Sequence, residues 1–383
     1  MGLTLAQKII ARASHRKRVE VGEIVEVDVD FAMMQDSGGP RRIGATMEKL
    51  GVQIWDPDKV TIISDHFVAA SDTTEASILK YTREWAKKYR VTKYHEREGI
   101  CHIVPVEKGY IRPGMLYVGG DSHSTTAGAL GCFAISMGST DMLGIMVTGK
   151  TWLKVPESIK IIWNGKLTRG VMAKDMMLKT IQKTRIDGAT YKSVEFTGEA
   201  VDKLPMDERL VLSNMAIEMG AKAGMIEPND VVYAYLEERN ITEYEAVFSD
   251  PDAEYCEVLE FDASSLSPMV ALPHSPDNVQ PIKETEPLSI DQAYIGACTG
   301  AKYYDLKMAA EVLKGRKVSS RTRLLVAPAS SEIIRRASRD DGSWRTLHFV
   351  NQPEFSWTNG TRSRSDFSFA CDGGSIRYNR ENY

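Results

Sequence analysis

Short runs of aliphatic and β-branched residues alternate along the chain with longer stretches in which apolar positions recur every three or four residues. The runs "KVTIIS" (59–64), "MLYVGG" (115–120), "AYIGAC" (293–298) and "RLLVAPAS" (323–330) predict buried strands, and "SIKIIWNG" (158–165) reads as the arm of a hairpin. The stretches "EASILKYTREWAKKY" (75–89), "AKDMMLKTIQKT" (173–184) and "ERLVLSNMAIEMGAKAG" (208–224) predict helices. Near the start, Leu5, Ile9 and Ile10 fall on one face of a short amphipathic helix. Methionines in "AKDMMLKT" and "SNMAIEMG" fall at helical spacing and read as core. Strand and helix alternating in this way predict layered α/β units.

A chain of 383 residues is longer than one hydrophobic core usually supports, so two or three units are expected. The stretch 264–287 holds five prolines and no periodicity, and reads as a connector with a boundary near 280. Residues 1–280 are therefore taken as two similar α/β units and 281–341 as a third, incomplete one. From 342 onward the alternation stops and Ser, Arg, Asn and Gly accumulate. That tail reads as aberrant, with no packed role and disorder expected.

Composition narrows the partners. Apolar content of 43% and charged content of 26% suit a globular protein, and a net charge of −4 offers no basic stripe for nucleic acid. Five scattered cysteines without a CxxC argue against a disulfide framework and for a reducing compartment, with the cytosol the best fit. No apolar run approaches the roughly 18 residues that cross a bilayer. Residues 1–18 are basic and free of acids, which raises a mitochondrial presequence as an alternative to the amphipathic first helix; the helix is the preferred reading.

Four polar clusters stand at or near predicted strand ends: Asp65 with His66, His102 in "GICHIVP", Asp121 to His123, and Glu195 in "YKSVEFTG". Loops at strand ends of α/β sheets converge over one crevice, so the clusters are expected to meet. Taken singly, each is explained as well by a helix cap or a satisfied buried polar group. After His123, "STTAGALG" has no bulky side chain before Leu130, which lets backbone N–H groups approach an anion; close helix–sheet packing selects the same residues. Cys298 sits on a predicted strand-to-helix turn, where a thiolate is stabilised. A nucleophile, a metal ligand and an inert buried thiol all remain open for it.

The segments "MMQDSGGP", "SDHF", "GICHIVPVEKGYIRPGMLYVGGDSHSTTAGALGCFAISMGSTDM", "TGKTWLKVPESIK", "GVMAKDMMLKTI", "YKSVEFTGEAVDKLPMDERLVLSNMAIEMGAKAG" and "YIGACTGAKYYDL" resemble, in order, the signature segments of the aconitase superfamily. The likeness runs over roughly residues 3–340 and is nearest to the branch acting on isopropylmalate, homocitrate and dimethylmalate. It implies α/β/α three-layer units around a central cleft, and interconversion of 2- and 3-hydroxy di- or tricarboxylic acids through an alkene. A [4Fe-4S] cluster held by three cysteines acts as the Lewis acid in that family, which makes hydroxide a tolerable leaving group. Carried over by motif, Gln35 hydrogen-bonds substrate, and Asp65 with His66, His102, and Asp121 with His123 hold the departing hydroxyl. Ser122 touches a substrate carboxylate, Glu195 supports the iron site, and Cys298 is the first cluster ligand. A swivelling domain on a separate small subunit is the implied partner, supplying the base and further arginines.

The sequence departs from the family where its second and third cysteine ligands would form a CxxC pair, followed by an Arg-Asn-Phe segment; neither is present. Read back into permitted codons and shifted one base forward, "WRTLHFVNQPEFSWTNG" (344–360) allows "GEPCISSTNRNFPGRMG", which resembles the missing segment. "FACDGGSIRY" shifted likewise allows "SPATVAASAI", like the family's closing helix. Residues from about 342 are accordingly expected to be an out-of-frame reading, with the CxxC stretch skipped and dehydratase activity weak or absent. Two alternatives stay open: a mononuclear metal hydrolase using His66, His102, His123, Asp121 and Glu195, and a non-catalytic remnant that keeps the fold.

Overall fold

Four short apolar runs and one polar edge strand form one parallel sheet in the spatial order Lys93–Glu96, Val60–Ser64, Phe31–Gln35, Leu116–Gly119, Phe133–Ser136, the first being the polar edge. The protein is described here from a computed structural model, covering residues 2–339 and 343–350. Alternate residues leave the sheet on opposite sides. Phe31, Met33, Ile63, Tyr117 and Ala134 enter one core, while Ala32, Met34, Ile62, Val118 and Ile135 enter the other. Burial on both faces is why the four inner and far-edge strands read as continuous apolar runs, unlike Lys93–Glu96.

The chain winds outward from Phe31–Gln35 in one direction and returns to Leu116–Gly119 on its other side. The loops after these two neighbouring strands therefore part, and open a crevice beyond their carboxyl ends. Gln35 ends the first strand and Asp121 follows the second, so the fold itself carries both to the crevice.

A second parallel sheet runs Ala223–Ile226, Ser193–Thr197, Ser158–Asn164, Glu257–Asp262. Ser158–Asn164, expected as a hairpin arm, is instead an interior strand paired in parallel on both sides. Its inward residues Ile159, Ile161 and Trp163 pack with Val194, Phe196 and the helix Ala173–Thr184, whose Met176 and Met177 are fully buried. The predicted helix over 208–224 is shorter than its pattern suggests. It spans Met206–Met215, passes through a 3-10 turn at Ala216–Met219, and gives way to the strand Ala223–Ile226.

The stretch expected as a bare connector contains a small antiparallel hairpin, Met269–Ala271 against Val279–Pro281. Beyond it, Gln292–Ile295 and Arg323–Val326 pair in parallel with helices Tyr303–Leu313 and Ser331–Arg339 around them. Ser343–Val350, placed by the sequence in the unpacked tail, is helical, and its Leu347 is 1% exposed within that core. The out-of-frame reading and expected disorder of the tail fall, from residue 351 on, outside the described residues.

Mixed α/β architecture with helices layered on parallel sheets is thus the fold. The first helix, Leu5–Ala13, is capped by Thr4 in a reciprocal box with Gln7, and buries Leu5, Ile9 and Ile10 completely. No helix among the described residues is long and apolar enough to cross a membrane.

Candidate active site

Asp65 follows directly on Val60–Ser64 and is fully buried. Its Oδ2 accepts the Cys101 backbone N–H at 2.7 Å, and its Oδ1 accepts from His66 Nδ1 at 2.7 Å. His66 is fixed from a second side, since its backbone N–H donates to Asp36 Oδ1 at 3.1 Å. Burial alone would lower the His66 pKa, but hydrogen bonds to Asp121 and Asp65 outweigh it and push it up to about 11. Asp36, buried beside the Asp65 charge, rises to about 6.

Asp121 joins the clusters. Its Oδ1 accepts from His102 Nε2 at 2.8 Å, while its Oδ2 lies 3.5 Å from His66 Nε2 and 3.5 Å from Gln35 Nε2. The same carboxylate accepts the His123 backbone N–H at 3.2 Å and so caps the 3-10 helix Ser122–Leu130. The structural and the chemical readings of this residue both hold. Although burial favours the neutral acid, the His102 charge and hydrogen bond, with those of His66, keep Asp121 ionised far below the usual carboxylate range.

His123 Nε2 lies 3.2 Å from Glu218 Oε1, and its Nδ1 lies 3.1 Å from the exposed Ser122 Oγ. Burial lowers the His123 pKa, yet the Glu218 hydrogen bond and the nearby Cys298 raise it on balance. The His102 and His123 rings stand 5.9 Å apart, centroid to centroid. Gln35 is held by its own loop, its Oε1 accepting the backbone N–H groups of Ser37 and Gly38.

Cys298 reaches this cleft from the third sheet. Its core neighbours include Ile100 and Ile103, which flank His102 on either side. The docking is reinforced where Ile100 N donates to Ala329 O at 2.9 Å and Ser330 Oγ donates to Glu107 at 2.7 Å. The thiol is close enough that its charge bears on both His123 and Cys101.

Glu195 lies elsewhere. It sits inside a strand rather than at its end, and its carboxylate accepts from Leu5 N at 3.0 Å, Ser249 Oγ at 2.7 Å and Tyr255 OH at 2.7 Å. These contacts tie the N-terminal helix to the second sheet, and none of them involves the histidine cluster. The carboxylate that does meet the cluster is Glu218, which the sequence reading passed over. Its signal was present in "SNMAIEMG", where a lone acid stands among residues read as core. Asp36, two residues before the strand-end glycines of "MMQDSGGP", was missed in the same way. His95 stands apart from the cluster, bonded to Glu98 and Tyr110.

Residues 7–351 match the profile of the aconitase family (aconitate hydratase). The chain belongs to the aconitase family, a family of hydro-lyases. It is similar to the 3-isopropylmalate dehydratase large subunit 1 of Methanopyrus kandleri, at 45% identity over 350 residues, covering 91% of this chain and 83% of that protein. It is similar also to the probable 3-isopropylmalate dehydratase large subunit of Methanothermobacter thermautotrophicus, 44% identical over 338 residues, 88% of this chain and 81% of that one. The 3-isopropylmalate dehydratase large subunit of a Hydrogenobaculum species is 45% identical over 339 residues, covering 88% and 80%.

Membership implies an iron–sulfur cluster, which asks for three or four thiolates at one place. The described residues do not fit that demand. Cys298 stands on the cleft loop, and Cys101 Sγ lies 3.6 Å from His102 Nε2. Cys101 is fully buried, and burial together with the Asp65 and Asp121 charges pushes its thiol pKa well up, so it stays protonated. Cys132 is buried with its thiol on the Ala127 carbonyl, and Cys256 is exposed. Cys371 lies outside the described residues.

Proposed function

We propose that this chain is the large subunit of a hydro-lyase that interconverts 2- and 3-hydroxy di- or tricarboxylic acids, such as 2- and 3-isopropylmalate, through an alkene. The observation that carries the reading is Asp121, an ionised carboxylate held between His66 and His102 at the point where the strand order reverses. An acid–imidazole array of this kind can hold and pass a proton on a substrate hydroxyl. In this reading cationic His66, with His102 beside it, faces the departing oxygen, and Asp121 sets the orientation of both rings. Ser122, exposed at the cleft, and Gln35 bind substrate oxygens. His123, backed by Glu218, offers a second proton carrier facing the Cys298 loop.

The name of the relatives, large subunit, supports a small-subunit partner that completes the pocket. The family's [4Fe-4S] cluster is the finer expectation for the cofactor, and Cys298 with the buried, protonated Cys101 does not satisfy its ligand set. We infer that this polypeptide binds the hydroxy acid while turning it over weakly or not at all.

Isothermal titration of the full chain with 3-isopropylmalate, alongside an ultraviolet assay for alkene formation in the presence of a small subunit, tests the reading. Saturable binding that is lost in Asp121→Asn supports it. Failure of any hydroxy dicarboxylate to bind, with no turnover, would sink it.

A further inference from the structure

The mismatch between the family's cluster and the donors present points to a different occupant. We propose that the cleft of this polypeptide binds one divalent transition-metal ion through His102, Asp121 and His123. One ligand atom from each of these three residues lies within 4.8 Å of the other two. Two imidazoles and a carboxylate around an open side are a common donor set for zinc, ferrous iron and cobalt, all of which accept nitrogen and oxygen ligands.

Three further features favour this set. The His102 side chain is fully buried, and its Nδ1 has no hydrogen-bond partner while Nε2 faces Asp121. Nε2 is therefore the nitrogen that a metal shared with Asp121 would use. His123 has a carboxylate, Glu218, on one ring nitrogen, the arrangement that fixes the tautomer and orientation of metal-ligating histidines. Four carboxylates, Asp36, Asp65, Asp121 and Glu218, stand around the three imidazoles of His66, His102 and His123, a surplus of negative charge that favours a cation.

The neighbouring trio of Asp65, His66 and Cys101 has similar spacing but is a poorer set. There the imidazole is committed to two carboxylates and the thiol is kept protonated by burial. The three residues supply one set of donors at one place, so uptake should be stoichiometric, one metal per chain. The inference occupies the same cleft as the proposed reaction, yet it is read without substrate. Its failure would leave hydroxy-acid binding untouched.

Titration of metal-free, full-length protein with Co²⁺, followed by visible absorbance, decides the matter. The expected result is one tight equivalent per chain. His123→Gln and His102→Gln should each abolish that equivalent, and Glu218→Gln should weaken it about 10- to 100-fold. Cys298→Ser should leave it unchanged within a few-fold. Should a histidine variant unfold, shown by circular dichroism of the metal-free protein, Glu218→Gln carries the test alone. Several weak equivalents, affinity indifferent to Glu218→Gln, or reconstitution with iron and sulfide into a stable cubane spectrum would each overturn the proposal.

Discussion

Glu218 and His123 are 95 residues apart in the chain, yet Oε1 of one lies 3.2 Å from Nε2 of the other. The contact joins the loop at the end of the first sheet to the helical turn that feeds the second. Removing the carboxylate leaves a buried ring nitrogen without its partner. Glu218→Ala should therefore lower the unfolding free energy by about 1–3 kcal/mol, with Glu218→Gln recovering much of the loss. Urea unfolding of the metal-free variants measures this, and equal stability of all three proteins would contradict it.

Asp121 supports more partners than any other carboxylate of the cleft. Asp121→Ala strands two buried or half-buried imidazoles and uncaps Ser122–Leu130, and should cost about 3–5 kcal/mol. Asp121→Asn keeps an acceptor for the cap and should fold better, while losing hydroxy-acid binding. Paired unfolding and titration calorimetry would separate the two losses.

Glu107 gives the third unit a pH-dependent attachment. Burial raises its pKa from 4.5 to about 7, against the hydrogen bond from Ser330. The folded state thus binds this proton more tightly than the unfolded chain does. Its contribution is full below pH 4.5, falls as pH rises towards 7, and is then lost. Glu107→Gln should therefore be the more stable protein near pH 8 by about 1–3 kcal/mol, and the gap should close near pH 5. Melting curves across that range that stay parallel would refute the assignment.

Glu195 predicts a structural phenotype alone. Glu195→Ala leaves Leu5 N–H, Ser249 and Tyr255 without their shared acceptor, and should destabilise the protein by about 2–4 kcal/mol. Limited proteolysis should release the N-terminal helix sooner, while the Co²⁺ stoichiometry stays the same. A change in that stoichiometry in the folded variant would restore Glu195 to the site.

Gly128 tests the close approach behind the site. A Cβ there would stand 1.9 Å from the Gly224 carbonyl oxygen. Because the obstacle is backbone of the strand Ala223–Ile226, Gly128→Ala should cost about 1–3 kcal/mol and push Ser122–Leu130 away from the second sheet. Unchanged thermal stability would show that the two segments part freely.

Much of this was legible one residue at a time. Strands such as Val60–Ser64 and Leu116–Gly119 announced themselves because both faces of a parallel strand are buried, and the polar residues just after them stood out by contrast. The motif order gave the family, and with it Asp65, His66, His102, Asp121, His123 and Cys298 as candidates. Ser158–Asn164 was misread because a run of apolar residues does not state its neighbours: interior parallel strand and hairpin arm share one pattern. The helix before Ala223–Ile226 was overextended for a related reason, since small residues in "GAKAG" suit a helix end and a crowded strand alike.

The amino-acid sequence by itself determined which residues can do chemistry, because that depends on side-chain type and on short-range spacing. Tertiary structure decided which of them meet. Glu195 and Glu218 are both acids in one apolar region of the chain. Only the crossing of the two sheets directs Glu218 to His123 and turns Glu195 towards Leu5, because partnership across 95 residues is set by packing and leaves no mark on local pattern.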